Sequence, residues 1–85
     1  MNLKDTSEMM SSADYKERFR AEYFQLKIRL EGLVSMLNKY KNGTLNFVPS
    51  CSYELLSSQA DTMYEYLTTL EKRAEIENIS LEEVK

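Results

Sequence analysis

The sequence predicts an all-α fold: two long helices form an antiparallel hairpin, and self-association into a helical bundle completes the core. Three observations carry this. Phe19, Tyr23, Leu26, Leu30, Leu33, Leu37 and Tyr40 recur in an unbroken 4-3-4-3-4-3 spacing, which keeps their side chains on one line of a helix. A second seam, Leu56, Met63 and Leu70, has Gln59 and Tyr66 at its intervening positions and Leu67 and Ala74 beside it. The chain has 85 residues, and one helical pair of that length buries too little apolar surface to outweigh its ordering entropy comfortably.

The elements follow in order. Residues 1–11 are polar and aperiodic and read as a flexible segment ahead of a helical hairpin domain at 12–85, with Met9 and Met10 placed to pack on a neighbouring subunit. Ser11 or Ser12 supplies an N-cap, and Asp14 suits the positive end of the helix dipole. The first long helix runs to about Lys41. Gly32 is its weak interior point and is of the kind that permits close helix approach. Lys39 and Lys41 suit the C-terminal dipole, and Asn42-Gly43 supplies a left-handed stop. In the connector, Leu45, Phe47 and Val48 are expected to fold back over the open end of the core. Pro49 delays the second helix, which begins at Ser50 or Cys51 with Glu54 in its first turn. It ends near Ile76 or Glu77. Asn78-Ile79-Ser80 breaks it, and Ser80-x-x-Glu83 offers a capping box for a last turn.

Composition narrows the function. A net charge of −3 argues against general DNA or RNA binding, which calls for a basic excess. That net value hides an asymmetry. Residues 12–41 hold seven Lys or Arg against four acids, a net +3, whereas residues 52–85 hold three against eight, a net −5. Complementary flanks of an antiparallel pair account for this, as does a basic patch for an anionic ligand. The lone Cys51 has no internal disulfide partner, the first ten residues have no apolar run of a signal peptide, and no stretch approaches the ~20 apolar residues of a membrane span. A cytoplasmic protein without membrane partners is the expectation.

Catalysis finds no support in the residues. Histidine is absent, so the commonest general base and nitrogen ligand are missing. Cys51 reads as a half-buried residue at a helix start, although a helix N-terminus lowers a thiol pKa. Asp61/Glu65 and Glu71/Glu75 stand at i,i+4 without an accompanying ExxH motif and read as a solvated face, so no metal and no cofactor is expected. Gly32 and Gly43 make no phosphate loop. Asn42-Gly43-Thr44 and Asn78-Ile79-Ser80 match the glycosylation pattern, which has no meaning without secretion.

One constellation points to a ligand. At 100° per residue, Lys16, Arg20, Tyr23 and Lys27 fall within about 60° of one another beside the apolar seam, and Lys41 returns to the same side further on. Cations for phosphate and a flat ring for a base are what nucleotide recognition needs. A core-edge tyrosine flanked by cations with buried stems gives the same pattern. The six tyrosines equally suit a protein interface. Phe24, Ile28 and Met36, on other sides of the first helix, are the candidate oligomer contacts.

The run Tyr15-Lys16-Glu17-Arg18-Phe19-Arg20-Ala21-Glu22-Tyr23, followed by Leu26, Lys27, Arg29 and Leu33, resembles the opening helix of small bacteriophage and prophage proteins, among them the crAss-like phage small-protein group. Glu54-Leu55-Leu56, Gln59, Met63, Tyr66-Leu67, Leu70-Glu71 and Arg73-Ala74 resemble their second helix, so the likeness spans residues 15–81. More distantly, the pattern is similar to phage anti-defence sponges, which oligomerise and sequester the cyclic nucleotide signals of bacterial immunity. The resemblance implies a non-enzymatic homo-oligomer, active in the bacterial host cytoplasm, that sequesters a cyclic oligonucleotide. An inhibitor or adaptor of a host defence protein is the alternative, and a phage assembly accessory a third. No site residue carries over from the family.

Overall fold

The computed structural model describes residues 1–82. Among these it contains three helices and no strand: α1 (Leu3–Met10), α2 (Tyr15–Asn42) and α3 (Tyr53–Glu77). The first is a correction, because segment 1–11 was expected to lack structure. Its signal is local and polar. Asn2 Oδ1 accepts from the Asp5 N–H at 2.9 Å while Asp5 Oδ2 accepts from the Asn2 N–H at 3.1 Å, a reciprocal capping box. Asn2 and Asp5 make the same pair of bonds as the more familiar Ser/Thr–Glu box.

The caps of the long helices are set by chemistry of the expected kind, shifted along the chain. Asp14, rather than Ser11 or Ser12, caps α2 by accepting from the Lys16 N–H at 3.1 Å. Ser12 instead takes the Asp14 N–H and donates to Glu17. Ser52, rather than Ser50 or Cys51, caps α3 through the Leu55 N–H at 3.2 Å, and Cys51 is exposed just ahead of it. Gly43, at φ 74°, ends α2 in the left-handed region, and Asn78, at φ 57°, ends α3 in the same way. Past Asn78, Ser80 Oγ accepts from the Glu82 N–H at 3.3 Å; Glu83 of the expected capping box lies outside the described residues.

The two long helices pack with opposite ends together. Tyr15 at the start of α2 donates to Glu77 at the end of α3 (2.8 Å), and the rings of Tyr40 and Tyr53 meet at 5.6 Å near the connector. Phe19, Tyr23, Leu30 and Leu37 bury from α2, with Leu26 and Leu33 partly buried against them. From α3 the buried line is Ala60, Leu67, Leu70 and Ala74, flanked by Leu56 and Met63. The α3 seam therefore lies slightly off the expected one: Gln59 and Tyr66 face outward, while small Ala60 and Ala74 face α2. Ile79 and Leu81 extend the core beyond α3. The connector does not close the other end. Leu45 is half-buried, but Phe47 is 54% and Val48 90% exposed, because the chain leaves Gly43 alongside α2 rather than across the core.

The opposite side of α2 receives α1, which among the described residues packs on no other helix. Ala21 and Phe24 project there, about 180° from the α3-facing seam, and both are buried. Phe24, a candidate oligomer contact, is only 4% exposed within its own chain. Ile28 and Met36 are half-buried, Ile28 beside Met1 and Met36 beside the connector.

Candidate ligand site

The four residues singled out along one edge of α2 do not share one environment. Lys16 and Lys27 are exposed, Arg20 is half-buried, and Tyr23 is 7% exposed within the core. The Tyr23 ring stands edge-on to Phe24 with centroids 5.3 Å apart. Burial raises its hydroxyl pKa above the ordinary 10.0, and the charges of Glu71 and Glu31 push the same way. A ring so placed presents no open face to a base in this conformation. It supports the edge from beneath.

Arg20 is where the chain converges. Its guanidinium lies over the Phe24 ring, 5.9 Å from the centroid, and Nη2 donates to the Glu82 carbonyl at 3.0 Å. Nε is buried without an acceptor among the described residues. Stacking on Phe24 holds the plane, and a buried donor left unmatched within the described residues is costly. Sequence spacing identified Arg20 but gave no hint that the segment after α3 returns to meet it.

Two recesses flank Met1 on this side of α2. One, of about 250 Å³, is lined by Met9, Asp14, Lys16, Glu17 and Arg20 together with Met1. The other, of about 100 Å³, is lined by Met1, Phe24, Lys27, Ile28 and Glu31. Lys16 and Arg20 thus border one opening and Lys27 the next, with α1 supplying walls that periodicity did not foresee. Each volume lies below the ~300 Å³ of an ordinary small-molecule pocket. A phosphate-sized group fits; a whole nucleotide would extend over the surface.

A second polar cluster ties α2 to α3. Arg73 Nη2 donates to the Tyr15 hydroxyl at 3.0 Å, Arg73 Nε donates to Glu77 at 3.3 Å, and the guanidinium lies 5.0 Å from the Phe19 centroid. The hydrogen bond to Glu77 is the main cause holding the Tyr15 pKa above its ordinary value. Its groups satisfy one another, so it reads as a fastening. Asp61, Glu65, Glu71 and Glu75 are exposed along α3. Among the described residues, no three His, Cys, Asp or Glu side chains are placed to hold a metal ion. No helix there is long and apolar enough to cross a membrane.

A family model described as Sequestin matches residues 13–76. The chain belongs to the Sequestin family. The matched span runs from the cap of α2 through the connector to the last turn of α3, and so includes Lys16, Arg20, Tyr23 and Lys27. No curated protein and no solved structure matches the chain.

Proposed function

We propose that this Sequestin is a non-catalytic binding protein that sequesters a small anionic signal, a cyclic oligonucleotide of bacterial immunity, on behalf of a phage or prophage. The family name denotes holding rather than converting, in keeping with the lack of histidine and of a nucleophile–base pair. The observation that carries the reading is Arg20: a guanidinium braced on Phe24 with a buried N–H lacking an acceptor among the described residues, between Lys16 and Lys27. A phosphate oxygen would satisfy that donor by a charge-assisted bond. The burial of Tyr23 changes its proposed part from stacking on a base to positioning the cations.

Calorimetry and thermal melts against a panel of cyclic di- and trinucleotides and cyclic ADP-ribose isomers test the reading. A true ligand raises the melting temperature, because only the folded state holds it. No shift with any member at a large excess over the protein would overturn it. One observation favours a second reading. Outside its buried line α3 exposes Tyr64 on one flank, Tyr66 on the other and Ile76, among acids, which suits a host defence protein as partner. Complex formation lost on Tyr64→Ala with Arg20→Ala harmless would favour that alternative.

A further inference from the structure

The face of α2 that holds α1 does not stop where α1 stops. Glu17, Ala21, Phe24 and Ile28 lie on one line of the helix, and the same line continues through Glu31, Ser35, Lys39 and Asn42. Along the second stretch these four residues are exposed. With Leu30, Val34 and Asn38 they border a groove of about 500 Å³. Val34, 42% exposed, forms one shoulder; Met36 and Phe47 line a recess of about 480 Å³ on the other side. The strip is polar along its middle and apolar at its edges.

We propose that two copies of this chain pair through that strip, antiparallel, with a two-fold axis beside Ser35. The charge pattern selects the partner and its direction. Glu31 and Lys39 lie four residues either side of Ser35, so an antiparallel second copy sets Glu31 against the partner's Lys39 and Lys39 against the partner's Glu31. A parallel pair would set like charges together. The middle of the strip also admits a second backbone. Ser35 is small, and a Cβ added at Gly32 meets nothing within 4 Å in its own chain. The contact is therefore centred about three turns beyond Phe24, which α1 already covers, and keeps the half-buried Met36 at its margin. A single helix crossing falls at the small end of interface sizes, below about 1,200 Å², and such contacts are weak, so the pair is held with a micromolar Kd.

Sedimentation over a concentration series reads this without any ligand. Glu31→Lys and Lys39→Glu should each weaken dimerisation about tenfold or more, and the double exchange should restore it, because the charges then pair in the opposite sense. In a Cys51→Ser background, Ser35→Cys should oxidise to a linked dimer, since a residue on the axis meets itself, while Tyr64→Cys on α3 should not. Helical circular dichroism of each variant checks that these exposed substitutions leave the fold intact. A wild-type protein that stays monomeric at hundreds of micromolar, a double exchange no better than its singles, or Tyr64→Cys linking as fast as Ser35→Cys would each overturn the proposal.

Discussion

The two halves of α2 carry the same apolar rhythm toward α3, yet their other faces end up differently surrounded. From Tyr15 to Ile28 the helix is enclosed by α1 on one side and by α3 with the Ile79–Leu81 segment on the other, and Arg20 sits where these meet. From Glu31 to Asn42 its helical neighbour is α3, with the connector alongside at Met36 and Lys39, and the side bordered by Glu31, Val34 and Asn38 is open. The difference shows that burial along a helix is decided by which neighbours reach it, not by its periodicity. It also explains why a cation in the enclosed half can be braced with an N–H that has no acceptor among the described residues, while cations in the open half remain solvated.

The largest effect expected is common to both halves. Leu70 is fully buried against α2, and Leu70→Ala should remove about 2–5 kcal/mol, most of the stability of a domain this size. Helical circular dichroism at 37 °C should collapse. Next comes the contrast itself. Phe24→Ala in the enclosed half should cost roughly 3–5 kcal/mol by denaturant titration, whereas Val34→Ala in the open half should stay within about 0.5 kcal/mol at concentrations where the chain is monomeric. Equal costs would show that α1 does not cover Phe24.

Alkaline pH sharpens the comparison further. The folded chain holds the Tyr23 pKa above 10.0, so the unfolded state ionises first as pH rises. The contribution of Tyr23 to stability is complete below pH 10 and is lost as pH climbs through the raised folded value. Melting temperatures should fall above pH 10, less steeply in Tyr23→Phe; an identical slope would place that hydroxyl in solvent. The smallest effect lies in the open half. Gly32→Ala should stabilise the monomer by about 0.4–1 kcal/mol, since the helix gains propensity and the new methyl meets nothing. Destabilisation of the monomer would contradict the open face.

Much of this was legible in the residues. The α2 seam from Phe19 to Leu37, the left-handed stop at Gly43, the break of α3 at Asn78, and the run of cations Lys16, Arg20 and Lys27 along one edge follow from spacing and turn chemistry. Three things were not. The first helix is eight residues long and buries only Thr6, too short a stretch for a repeating seam to show, and its start depends on a two-residue polar cap. Ala60 carries little hydrophobic signal, yet it is buried with Ala74, which does stand beside the expected seam, because small side chains are what the α2–α3 packing encloses there. Long-range meetings such as Arg20 with the Glu82 carbonyl have no local signature at all. Phe47 and Val48 mislead in the other direction: both are strongly apolar, but a connector fixed at Gly43 and Pro49 holds them away from the core.

The central claim is that sequestration rests on the enclosed half of α2. Its most direct test is ligand affinity by calorimetry for the wild type, Arg20→Ala and Lys41→Ala, using whichever cyclic nucleotide raises the melting temperature. The account predicts that Arg20→Ala loses a charge-assisted hydrogen bond of about 1.5–3 kcal/mol, roughly ten- to a hundredfold in Kd, while Lys41→Ala, in the open half, leaves it unchanged. Binding that survives Arg20→Ala, or that falls equally with Lys41→Ala, would contradict it.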